Sequence, residues 1–158
     1  MSLDIEQRPF DDDLVVALIQ DLQAEFTVRY GGPDETVVAA SEFAGRAGAF
    51  FVGLEDGVPV AMGGWRFRPD VLALGGSVSA EIKRMYVVPA AQRRGHARAL
   101  LAHLESTAAT AGADVMVLET GLEQPEAIAL YESSGYEPIE PFGYYWDSPL
   151  CRCFAKRL

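Results

Sequence analysis

Gln92-Arg93-Arg94-Gly95-His96-Ala97 follows the apolar run Met85-Tyr86-Val87-Val88 and leads into a helical stretch. The string reads as an anion cradle at a strand-to-helix turn. A glycine at 95 and a small residue at 97 let backbone approach a ligand closely, and the first N–H groups of the following helix have no partner inside it. The positive end of the helix dipole adds to the attraction for a phosphate. Neither of the commoner nucleotide cradles, G-x-x-x-x-G-K-[ST] and G-x-G-x-x-G, occurs anywhere in the 158 residues. What is present is [RQ]-x-x-G-x-[GA], in a context that suits a pyrophosphate.

Charge distribution points the same way. The chain carries a formal charge of −10, which argues against nucleic acid as a routine partner and favours a cationic one. From Ile82 to Leu104 there are five basic residues, Lys83, Arg84, Arg93, Arg94 and Arg98, and no acidic one, so everything else carries −15. A basic island in an acidic chain is what a polyanionic cofactor and a cationic substrate together require. With 49% apolar residues the length is that of one domain with a substantial core, spanning 1–158. No run approaches a membrane span and the N-terminus lacks a signal-peptide layout, so a cytoplasmic protein is expected. Cys151 and Cys153 lie on one face of a terminal strand-like segment and read as packing residues. They are too few for a disulfide scaffold or a zinc site, and no metal is expected.

Patterning along the chain is mixed α and β. A strand is expected over 3–8, then a helix capped and charge-matched by Asp11, Asp12 and Asp13. Its Leu14, Leu18, Leu22 and Phe26 recur every four residues, and Gly31-Gly32-Pro33 stops it. A short second helix is expected over 34–46. Segments 50–54 and 58–67 flank Glu55-Asp56-Gly57, a hairpin signal. A loop over 68–76 precedes a strand over 79–88, ended by Pro89. In the next helix, Ala97, Leu100, Leu101, Leu104 and Ala108 share a face, and Ala111-Gly112 closes it. An unbroken apolar strand over 115–119 completes a strand–helix–parallel strand unit. Pro125 suits the first turn of a further helix and Gly135 its end, with a last antiparallel pair over 136–139 and 150–156.

A second block, Gln124-x-x-Ala127-x-x-x-Tyr131-x-x-x-Gly135-Tyr136, stands after the cradle. Together the two blocks resemble motifs A and B of the GNAT superfamily of N-acetyltransferases, in that family's order and separation. The resemblance covers roughly residues 79 to 140, and the element order extends it to topology. It implies an α/β (α+β) fold: a single GNAT-like domain with a mixed central sheet whose parallel strands splay apart, flanked by helices. It further implies acetyl-CoA as co-substrate, its pyrophosphate on the backbone from Arg93 through Arg98, including Arg94, Gly95, His96 and Ala97, with Gln92 beside it. The pantetheine arm would hydrogen-bond the strand at Met85, Tyr86 and Val87. His96 falls at a variable position and is expected on the surface. Gln124 departs from the family's usual asparagine; it can offer an amide to the cofactor but is a poorer helix cap.

Taken alone, Tyr131 reads as a packing tyrosine; the resemblance implies that its hydroxyl protonates the departing CoA thiolate. Direct transfer needs a neutral amine, and an alkylamine with a pKa near ~10 is protonated at pH 7. Two carboxylates could take that proton, and the family spacing admits both. Glu81 lies eleven residues before Gln92, and Glu119 twelve before Tyr131. Glu119, ending an apolar strand, is anomalous without a partner, whereas Glu81, at the start of its strand, could be exposed. The resemblance places the acceptor at the first two helices and the last strand pair, which makes Phe26, Tyr30, Arg84, Tyr144 and Tyr145 candidates. The aromatics could equally pack over the sheet end or form a homodimer surface. The expectation is an acetyl-CoA-dependent N-acetyltransferase acting on a primary amine of a small molecule. A peptide N-terminal acetyltransferase, a non-catalytic acyl-CoA-binding module and a structural dimer subunit are the alternatives.

Overall fold

The computed structural model describes residues 2–158. The first strand, β1 (Asp4–Gln7), leads into helix α1 (Asp13–Tyr30), and a 3-10 turn over Ala40–Phe43 comes after it. Strands β2 (Gly48–Glu55), β3 (Val58–Phe67) and β4 (Ser79–Val87) then form a meander. After it come α2 (His96–Thr110), β5 (Val115–Gly121), α3 (Pro125–Ser133), β6 (Glu137–Ile139) and β7 (Cys151–Arg157). They make one seven-stranded sheet in the order β1-β2-β3-β4-β5-β7-β6, mixed because β4 and β5 run parallel while every other pair is antiparallel. This is the single mixed-sheet domain that the element order predicts. Among the described residues, no helix is long and apolar enough to cross a membrane.

Local chemistry explains the helix bounds. The Asp12 carboxylate accepts from the Leu14 N–H at 2.9 Å, and Gly31, left-handed at φ 82°, donates its N–H to Thr27 O. The buried stripe of α1 is Val15, Leu18 and Leu22, with Leu14 and Phe26 only half-buried. Instead of the expected second helix over 34–46, only Ala40–Phe43 turns. Segment 34–39 lies along the molecule, pinned by paired hydrogen bonds between the Gln23 amide and the Asp34 backbone. Helix α2 buries Leu100, Leu101, Leu104 and Ala108 against one sheet face, and α1 covers the other through Phe50, Val52 and Met62.

Two irregularities in β4 open the sheet and redirect its side chains. Against β5 it pairs only at Ser79↔Val115, Ala80↔Met116 and Glu81↔Val117, so from Ile82 onward its edge is open and the parallel strands part. Against β3 the register runs Gly64↔Lys83 and then Met62↔Tyr86, a bulge that places Arg84 at φ 56°. One extra residue reverses the alternation. Glu81 and Lys83 share the α1 face with Tyr86, while Ala80 and Ile82 face α2.

Candidate active site

Two cavities meet where β4 and β5 separate. The first, of about 560 Å³, runs between α1, the open edge of β4 at Met85, Tyr86 and Val87, the start of α2 and the helix α3. Gln92, Arg93, Gly95, His96, Ala97, Arg98, Gln124 and Tyr131 line it, so most residues expected at a cofactor stand round one space. The second, of about 320 Å³, lies on the α1 face and is lined by Phe26, Tyr30, Lys83, Glu119, Tyr145 and Cys151, among others. Phe26 and Gln124 belong to both cavities and mark the junction.

The cradle has the backbone of an anion site. Arg93 (φ 64°) and Gly95 (φ 81°) are left-handed on either side of Arg94, an alternation that gathers successive N–H groups into one concavity. No side chain caps the start of α2, which leaves its first donors to a ligand. Among the described residues, no atom lies within 4 Å of where a Cβ on Gly95 would sit, so space for a ligand adjoins it. Gln92 Nε2 donates to Val87 O at 3.0 Å and ties cradle to strand. Arg98 reaches the hydroxyls of Ser133 and Ser134 at 3.0 and 3.1 Å, which joins α2 to the end of α3.

His96 overturns its expected surface role. Its ring is buried and paired with Glu55, which also binds Arg94, and the His96 contact holds the Glu55 carboxyl below its usual range. The reason is topological. The β2–β3 hairpin brings Glu55 under the cradle, a contact between residues 41 apart that spacing within the motif does not reveal.

The Gln124 side chain caps nothing, in keeping with its weak cap propensity; its Oε1 is buried without a hydrogen-bond partner among the described residues. An orphaned acceptor between two cavities is a group waiting for a donor from a ligand. Tyr131 is buried against Tyr136 and Phe154, with its hydroxyl hydrogen-bonded to none of the described residues. Burial pushes its pKa well above the tyrosine range, so at neutral pH it keeps its proton.

The two glutamates occupy different settings. Glu81 is not exposed: it is 1% accessible, receives Arg66 Nε at 3.0 Å and Arg68 Nη1 at 2.6 Å, and lines neither cavity. Arg66 continues to Glu42 and Arg68 to Asp70, making a chain of charges across the sheet. So held, the carboxylate is expected to serve structure rather than proton transfer. Glu81→Gln should therefore cost about 3 kcal/mol, the low end for breaking a buried pair because both guanidiniums retain a second carboxylate. Thermal unfolding should read this as a fall of roughly 6–12 °C in Tm, and an unchanged Tm would refute the assignment.

Glu119 lines the second cavity, where burial raises its pKa and the Lys83 charge partly offsets the rise. Its carboxylate accepts from Cys151 Sγ at 3.5 Å. Gly143 lies against it, so that a Cβ there would displace the carboxylate. Glu119, Cys151 and Cys153 bring three potential ligand atoms within 4.8 Å of one another, a grouping that Cys-x-Cys spacing alone does not show. Burial raises both thiols, Cys151 strongly, so they are poor nucleophiles and pack as neutral groups.

Of the expected acceptor residues, Phe26, Tyr30 and Tyr145 line the second cavity, and the Tyr145 hydroxyl accepts the Glu35 N–H at 2.8 Å. Arg84 and Tyr144 do not line it. Arg84 is committed to Asp34 and to Thr36 O, and Tyr144 is about half exposed on the surface. Lys83, which its place in the sequence marked only as part of the basic island, does line it.

Comparison with known proteins bears on the family and the fold. The profile of the Acetyltransferase (GNAT) family matches residues 15–136, spanning α1 through the second motif. The chain belongs to the GNAT family. An IAA acetyltransferase of Azospirillum brasilense is 41% identical to this GNAT chain over 78 residues, 49% of this chain and 51% of that protein. This GNAT chain thus spans about half the length of that curated relative. A Klebsiella pneumoniae protein assigned to the acyl-CoA N-acyltransferases has the same fold, with a TM-score of 0.76 and 28% identity over 99% of this chain and 97% of that one. The GNAT domain of S. lividans PAT superposes with a TM-score of 0.72 at 18% identity, over 98% and 89% of the two chains, a likeness of fold.

Proposed function

We propose that this GNAT protein is an acetyl-CoA-dependent N-acetyltransferase that moves the acetyl group to a primary amine of a small molecule by direct transfer. The observation that carries the reading is the junction of the two cavities. The space bounded by the cradle and Tyr131 adjoins the space that holds Glu119, with Phe26 and Gln124 lining both. The residues fit the cofactor: a backbone nest for its pyrophosphate, an unpaired strand edge for its pantetheine amides, and the orphaned Gln124 Oε1 for an N–H donor.

Acetyl-CoA supplies an acyl group already activated as a thioester. The chain's own residues supply proton management and charge stabilisation. Glu119 accepts a proton from the ammonium form of the acceptor, directly or through one water, and passes it to solvent. Backbone N–H groups at the bulge of β4 stabilise the oxyanion as the C–N bond forms. The C–S bond breaks, the sulfur takes a proton from Tyr131, which solvent replaces, and the acylated nitrogen releases its second proton to Glu119, free again after the first transfer. The apolar setting that keeps Tyr131 protonated also raises the proton affinity of a thiolate formed beside it.

Calorimetric titration with acetyl-CoA and with CoA, and then a thiol-release screen over small amines and peptides, tests the reading. Micromolar binding with turnover on small amines supports it. Binding without transfer to any acceptor would instead indicate a non-catalytic acyl-CoA module, and turnover confined to peptides a peptide acetyltransferase. Tyr131→Phe should keep acetyl-CoA affinity and lower kcat about 100-fold; an equal loss of affinity would show a binding role instead.

A further inference from the structure

Lys83 is 7% exposed, lines the second cavity, and makes no hydrogen bond to any of the described residues. The one carboxylate oxygen within 4.0 Å is Glu81 Oε2, at the limit of that range, and Arg66 and Arg68 already bind the other oxygen of that carboxylate. The remaining carboxylates round the cavity do not complete it either. Asp34 is tied to Arg84, Glu35 is exposed, and Glu119 accepts from Cys151 and lies more than 4.0 Å from the Lys83 nitrogen. An ammonium that lines the cavity with three donors unused in hydrogen bonds to the protein is placed to meet an anion that enters there.

We infer that Lys83 is an acceptor-recognition residue that binds a carboxylate carried by the amine substrate, so that the acceptor is an amino acid. The inference rests on the acetyltransferase reading above and deepens it. Lys83 stands on β4 directly before the bulge, next to the backbone assigned to the oxyanion. A carboxylate held there keeps an amine two bonds away beside the splayed strands, on the same sheet face as Glu119. An α-amino acid has that spacing. Phe26, Tyr30 and Tyr145 line the same cavity and offer apolar surface to its side chain. The ammonium, whose pKa burial pulls down, regains its charge stabilisation when the carboxylate binds.

The test compares apolar and aromatic L-amino acids with their methyl esters and their decarboxylated amines. Binding is read by calorimetry with and without CoA, and initial rates by thiol release, for wild type, Lys83→Met and Lys83→Arg. The wild type should bind the free amino acid about 10- to 100-fold more tightly than its ester or amine, as expected of a charge-assisted hydrogen bond. Lys83→Met should abolish that preference, Lys83→Arg should keep part of it, and acetyl-CoA affinity should stay within about twofold in both. Equal binding of acid, ester and amine by the wild type, a preference that survives Lys83→Met, or no binding by any free amino acid would each overturn the inference. Transfer to amines with no preference for a carboxylate would sink this inference alone. Failure to bind acetyl-CoA would sink the acetyltransferase reading, with the carboxylate preference still measured without CoA.

Discussion

Glu119→Gln should lower kcat/KM for amine acceptors by about 10²- to 10⁴-fold, the span over which a positioned general base contributes, and leave acetyl-CoA affinity unchanged. Glutamine fills the same space beside Gly143 and Cys151 but takes no proton at neutral pH. The pH profile gives the sharper reading. Burial raises the Glu119 pKa, so the acid limb of the wild-type profile lies at higher pH than an ordinary glutamate would place it, and activity rises as Glu119 ionises. In Glu119→Gln that limb disappears. Stability moves in the opposite direction. With a pKa higher folded than unfolded, the folded chain holds the Glu119 proton more tightly. The stability this confers is present below the unfolded value, near ~4.3, and is lost as pH rises through the folded value. Glu119→Gln should therefore match or exceed the wild type in Tm at neutral pH, with any gain shrinking toward pH 4. A rate loss no larger than threefold would remove Glu119 from the mechanism and leave the amine to ionise in bulk water.

Gly95→Val should weaken acetyl-CoA binding by at least about 100-fold while the protein still folds. Two causes combine. The backbone at 95 is left-handed, a conformation that a β-branched residue resists. In addition, no described atom lies within 4 Å of the new Cβ, so the side chain would occupy space next to the nest rather than fill a gap in the core. Circular dichroism should show native secondary structure, and calorimetry should show the lost affinity. Near-native binding in a folded Gly95→Val protein would mean that the pyrophosphate is held elsewhere.

Much of the fold and the cradle was legible from local pattern. The αL glycine, the uncapped start of α2 and the buried Leu100–Leu104 face follow from residue types at short spacing. So does the Asp12 cap of α1. Interactions of this kind act over one or two turns of chain, and a linear reading captures them. The segment 34–46 defeated it because the side chains of Gln23 and Arg84 hold its start at Asp34 and Thr36, contacts that outweigh weak propensities.

By itself the sequence determined the family resemblance, the element order, the cradle and the pairing of Tyr131 with a downstream glycine and tyrosine. Tertiary structure alone decided which glutamate faces a cavity. Glu81 and Glu119 have equivalent family spacings, but strand pairing sets Glu81 beside Arg66, and Arg68 also reaches it, while the parting of β4 and β5 leaves Glu119 at the opening. It likewise buried His96 on Glu55 and left Lys83 facing the acceptor space. The physical reason is common to all three. The state of an ionisable side chain depends on which charges lie within a few ångströms and on how much water reaches it, and contacts such as those of Glu81 with Arg68 and Arg66, 13 and 15 positions away, and of His96 with Glu55, 41 away, are set by the fold.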